Sequence, residues 1–216
     1  MKLAVLFLSI FLAFGFFSCS RAEPRILYGF MEKTYIWGID GSPVRQYSFF
    51  ILPEDDDGIE NLSELYVFHD REGLRWRFAS EDWVQFEDAG RVWIGTRNIA
   101  MRGGEPLPRG QFRAVLINLG GERTERVFAF DIPESSPHPF PAFHVLDGLF
   151  RLDSSYPVNR LLSYDVQGEV IQTITLTATE GYLEDLNISL NAIGVSLWAE
   201  DPLFRISALT QVVLVR

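Results

Sequence analysis

The sequence predicts an all-β protein built as an antiparallel sandwich, on three observations. Short apolar runs recur at a spacing of roughly 8–12 residues with turn signals between them, the mark of a sandwich of short strands. Several of those runs alternate apolar and polar residues with a period of two. Beyond the N-terminal apolar run, no window keeps a helical period for more than two turns.

The elements begin with Met1-Lys2 and an uncharged apolar run from Leu3 to Phe17, broken by Ser9. This is the length of a signal-peptide core and short of the roughly 20 apolar residues of a spanning helix. Ser18-Cys19 ends the run and polar sequence follows. A small residue before a cysteine at this place resembles the lipobox of bacterial lipoproteins, in the relaxed form of spirochaete members, since Phe16 and Phe17 occupy the two preceding positions. The resemblance implies a signal peptide over 1–18, a covalent lipid on Cys19 with no other cofactor, and a tether over 19–23. It also implies residence in the cell envelope, anchored to the inner or outer membrane. An ordinary signal peptide cut after Ala22 is the alternative. Cys19 is the one cysteine in the chain, which rules out an internal disulfide and leaves no second thiol for catalysis or metal binding.

Acidic residues number 29 against 19 basic ones, for a formal net charge of −10, which argues against nucleic acid as a partner. After Lys2 the chain contains a single lysine, Lys33.

Over 24–132 the strand candidates are Tyr35–Ile39, Tyr47–Leu52, Glu64–His69, Leu74–Phe78, Arg91–Ile94, Gln111–Asn118 and Val127–Ile132. Tyr47–Leu52 is apolar on both faces after Ser48, as in a strand at the centre of a sheet. Leu74, Trp76 and Phe78 share one face, Arg75 and Arg77 the other. Gly120-Gly121 turns the last pair into a hairpin. The run Tyr47–Leu52 with its Asp55-Asp56-Asp57-Gly58 turn, and Leu107-Pro108-Arg109-Gly110-Gln111-Phe112 leading an alternating strand, are similar to immunoglobulin-like and fibronectin type III-like modules. That resemblance covers about half of the chain. It implies an immunoglobulin-like β-sandwich, without the cysteine–tryptophan–cysteine signature of true immunoglobulin domains.

Four prolines between Pro133 and Pro141 exclude helix and central strand and predict a stiff linker over 133–142. A second, smaller β-rich domain is expected over 143–216. Its candidates are a run from Val145 to Leu152, a hairpin of Leu161–Val166 and Glu169–Thr177 about Gln167-Gly168, and the runs Ile193–Trp198, Phe204–Ile206 and Val212–Val215. A single helical turn is expected at Leu183–Leu186. So small a piece without staples is expected to pack against the first segment.

Motifs for chemistry are sparse. Asp55, Asp57, Gly58 and Glu64 fall at positions 3, 5, 6 and 12 of an EF-hand-like calcium loop, but Pro53 stands where the first ligand belongs. An acidic turn is the expectation, with a calcium site through Asp55, Asp57 and Glu64 as the alternative. His69, His138 and His144 form no metal spacing, and structural or surface roles are expected for them. No Gly-x-Ser-x-Gly elbow, phosphate loop or dinucleotide fingerprint is present. Of five tryptophans, most are expected in the core, with Trp83 the first candidate for partial exposure. The expected function is non-enzymatic binding or structural work, with another envelope protein as partner besides the membrane. A carbohydrate-binding module is the alternative, and a hydrolase comes third. An exposed row of aromatic rings favours sugar, a broad apolar patch favours protein, and converging carboxylates or histidines favour an enzyme.

Overall fold

The computed structural model describes residues 22–38 and 40–215, so the expected signal peptide over 1–18 and Cys19 lie outside the described residues. The protein is all-β, with short 3-10 turns as its sole helical elements among the described residues.

Sheet A has nine strands: β1 (Arg25–Trp37), β2 (Pro43–Glu54), β5 (Val84–Asp88), β6 (Arg91–Ile99), β11 (Val158–Tyr164), β12 (Val170–Thr175), β14 (Gly194–Asp201), β15 (Ile206–Leu209) and β16 (Val213–Leu214). The order is β12-β11-β14-β15-β1-β2-β6-β5, with β16 continuing along β14 beyond β15. Sheet B is β4 (Leu74–Ala79), β3 (Leu62–His69), β7 (Gly110–Asn118) and β8 (Arg123–Phe130) in that order. Sheet C is β13 (Glu180–Tyr182), β10 (Leu149–Asp153) and β9 (Ala142–Leu146).

Sheet A crosses the proline stretch. β1 from the first segment pairs in parallel with β15 from the second, Lys33 opposite Ile206 and Ile36 opposite Leu209. Among the described residues, every other pairing is antiparallel. The buried core joins Phe49 and Ile51 of β2 to Leu65, Val67, Phe112 and Leu116 of sheet B, to Leu161, Val195 and Leu197 of β11 and β14, and to Phe150 and Leu152 of sheet C. All belong to one contiguous core. The two segments therefore share a sheet and a core.

β2 is the central strand its composition predicts, with β1 on one side and β6 on the other. Gly95 of β6 makes the close approach to β2 feasible. A Cβ there would lie 2.0 Å from the Phe49 carbonyl oxygen. The hairpins at 120–121 and 167–168 form as expected, and Leu183–Leu186 is a 3-10 turn.

Two expectations change. The first strand starts ten residues early, at Arg25 rather than Tyr35, because Gly29, Glu32 and Lys33 interrupt the apolar signal without interrupting the pairing with β2. The run from Val145 to Leu152 is two strands, not one. Asp147 and Gly148 both have positive φ, 51° and 78°, and turn β9 into β10. Trp83 is partly exposed, packs against the core and donates from Nε1 to the Phe78 carbonyl at 3.2 Å. Trp37, 37% exposed, is the tryptophan open enough to count as exposed.

Candidate functional site

The face of sheet A turned away from sheets B and C forms a trough. Alternation along each strand decides which side chains line it. β1 contributes Phe30, Glu32, Thr34 and Ile36, β2 contributes Gln46, Ser48 and Phe50, and β14 contributes Trp198 and Glu200. Arg97 of β6, Phe86 and Asp88 of β5, Arg160 of β11 and Leu209 of β15 complete a hollow of about 610 Å³. A second hollow of about 370 Å³, reaching Asp201, Pro202 and Arg205, shares Phe30, Glu32, Trp198 and Glu200 with the first.

One flank is aromatic. Phe30 lies 5.2 Å from Trp93 and 5.7 Å from Phe50, centroid to centroid. Phe86 meets Phe50 edge-on at 5.0 Å and stacks on Trp93 at 6.2 Å. Trp198 stands alone on the other flank, its Nε1 donating to Glu200 Oε2 at 3.2 Å. Arg160, opposite Trp198 in the ladder, donates to the same carboxylate oxygen. Burial, and after it the negative charge of Glu200, raises the pKa of the Glu32 carboxyl above the usual range, while Arg205 and Arg97 oppose the shift. A partly desolvated acid in a hollow is a place to look for binding chemistry.

The trough was missed in the sequence. Its signal was Phe30-x-Glu32 and Trp198-x-Glu200, each of which puts an aromatic and an acid on one face of a strand.

The acidic turn does not converge. Asp55 Oδ1 accepts from the Asp57 amide at 2.9 Å and from Asn61 Nδ2 at 3.1 Å. Glu64 faces away on β3, held by Arg77 and by the Tyr66 hydroxyl at 2.9 Å. Among the described residues, no three His, Cys, Asp or Glu side chains are grouped to hold a metal ion. His69 is buried, 4.7 Å from the Phe112 ring, and His144 is exposed on β9. His138, in the proline stretch, has specific partners. Nε2–H donates to Asp201 Oδ2 at 2.7 Å, and Nδ1 lies 3.2 Å from Ser155 Oγ.

No described helix is long and apolar enough to cross a membrane. No family model and no curated protein matches the chain. Among solved structures, dimeric latent PorU from Porphyromonas gingivalis matches at 12% identity with a TM-score of 0.36, over 90% of this chain and 20% of that one. The chain thus spans about a fifth of that protein's length.

Proposed function

We propose that the protein is a lipid-anchored envelope protein that binds a carbohydrate chain in the trough of sheet A. The observation that carries this reading is Trp198 flanked by Glu200, Arg160 and Glu32 across a hollow whose far side carries the phenyl rings of Phe30, Phe50 and Phe86. A sugar ring has an apolar C–H face that packs on an aromatic ring, and hydroxyls that bond carboxylates and guanidinium groups. The trough supplies both, with Phe30, Phe50, Phe86 and Trp198 as apolar surfaces and carboxylates, guanidinium groups, hydroxyls and an amide between them. Acids and arginines stand side by side in it, which suits an uncharged ligand better than a polyanion. An apolar protein patch would lack this density of charged groups.

The test is titration of the full chain, in mild detergent, with a panel of neutral oligosaccharides, following tryptophan fluorescence. At least one should quench or shift the emission saturably. Trp198→Ala should weaken that binding roughly thirtyfold, the effect of losing a central anchor worth about 2 kcal/mol, without moving the melting temperature. Failure of every oligosaccharide to bind the wild-type chain refutes the carbohydrate reading.

A further inference from the structure

Three segments that are distant in sequence bring a serine, a histidine and an aspartate into line. Ser155 lies between β10 and β11, His138 in the proline stretch, and Asp201 at the end of β14. Asp201 Oδ1 caps the following turn, accepting from the amides of Leu203 at 2.9 Å and Phe204 at 3.4 Å. Its other oxygen, Oδ2, faces His138 Nε2 at 2.7 Å. An ionised carboxylate can only accept, so the 2.7 Å contact places the hydrogen on Nε2, and that hydrogen bond holds the Asp201 carboxyl below its usual pKa. In the neutral ring Nδ1 then has a free lone pair, and Ser155 Oγ, 3.2 Å away, donates to it.

The surroundings hold the imidazole in place. Its ring lies against Tyr156 with centroids 4.5 Å apart. The His138 amide donates to Ser136 Oγ at 3.0 Å, and Ser136 in turn lies 3.4 Å from the Tyr156 hydroxyl. The side chains of His138 and Asp201 are 16% and 8% exposed, so their bond lies out of bulk water, whereas Ser155 is exposed. A nucleophile open to solvent, bonded to a base that a buried carboxylate orients, meets two geometric demands of nucleophilic catalysis. A surface tie between loops needs only one of the two bonds and does not need an exposed serine.

We propose that Ser155 is an activated nucleophile that reacts with carboxylic esters, with His138 as its base and Asp201 as the residue that positions His138. Ser155 Oγ attacks the ester carbonyl carbon as its proton passes to His138 Nδ1, and Asp201 holds the imidazolium through Nε2–H. The carbon–oxygen bond to the alcohol breaks, the alcohol leaves with the proton from Nδ1, and Ser155 is acylated. Water then gives a proton to Nδ1 and attacks the acyl-serine. The acid is released and Ser155 regains its proton. The imidazole nitrogens are used in the opposite order from the familiar serine hydrolases, Nδ1 toward serine and Nε2 toward aspartate, while the proton path is the same. Because the two hydrogen bonds preorganise proton transfer, esters of good leaving groups are the substrates within reach. The proposal does not rest on the carbohydrate reading.

The experiment treats the full chain, in mild detergent, with a fluorophosphonate probe and, separately, with 4-nitrophenyl acetate. Peptide mapping should find the phosphonyl group on Ser155. Ser155→Ala should melt like the wild type and lose both the label and at least tenfold of the ester hydrolysis. His138→Gln should slow labelling about a hundredfold, within the usual range for a general base. Asp201→Asn, which keeps an oxygen for the turn amides, should slow it at least tenfold. Wild-type labelling no faster than that of Ser155→Ala, or a label on Ser135, Ser136 or Ser154, overturns the proposal.

Discussion

Lys33 on β1 donates from Nζ to the backbone carbonyl of Glu134, 2.9 Å away and 101 residues later in the chain, and also to that of Pro133. The lone lysine after Lys2 thereby fastens the start of the proline stretch to sheet A. It is 1% exposed, and its ammonium lies 5.8 Å from the Tyr35 ring centroid and 6.0 Å from that of Tyr47. Burial, reinforced by the positive charge of Arg45, lowers its pKa to about 8.

Lys33→Met should therefore destabilise the protein by ~1–3 kcal/mol, the cost of losing charge-assisted hydrogen bonds to two part-buried carbonyls. The pH dependence has a definite sign. Between about pH 8 and the ordinary lysine value of 10.5 the unfolded chain holds a proton that the folded chain does not, so wild-type stability relative to the variant rises with pH across that window. Denaturant titrations of both proteins at pH 7, 9 and 11 check this. A difference that is flat or falling with pH contradicts it.

Gly95→Ala is expected to cost ~3 kcal/mol, since its Cβ would overlap the Phe49 carbonyl oxygen and press on Phe50 Cδ1 at 2.8 Å. In a protein of this size that lowers the melting temperature by roughly 6–12 °C. Gly148→Ala, in a turn with nothing within 4 Å of its Cβ, should cost only the strain of its positive φ, ~1 kcal/mol. Calorimetry of the two variants separates crowding from backbone strain.

Glu32→Gln should stabilise the protein at neutral pH. The folded state holds the Glu32 proton to a higher pH than the unfolded state does, so wild-type stability falls as pH rises from 4.5 through the raised value. The variant's advantage should appear above that window and vanish below pH 4.5. Melting curves at pH 4 and pH 7.5 show it, and an equal shift at both contradicts it.

Cys19→Ser should abolish incorporation of labelled palmitate in cells and move the protein from the detergent phase to the aqueous phase on cloud-point separation. Unchanged partitioning of the variant removes the lipid anchor from the proposed function.

The sequence determined by itself the properties that depend on neighbouring residues. Alternation over Leu74–Phe78, the double-sided apolar run Tyr47–Leu52, and the turns at 120–121 and 167–168 each specify a strand, its faces or its reversal through local sterics and burial. Asp147-Gly148 carried the same kind of information and was obscured by the apolar residues on either side of it. Only the tertiary structure decided which strands become neighbours. The parallel pairing of β1 with β15 joins residues some 170 positions apart, and alternation within a strand is silent on its partner. The trough follows from that choice, because Glu32 and Glu200 belong to strands with β15 between them. The line of Ser155, His138 and Asp201 has the same origin. Three loop or strand-end positions carry no periodicity, and their alignment exists because one sheet and one core draw both segments of the chain together.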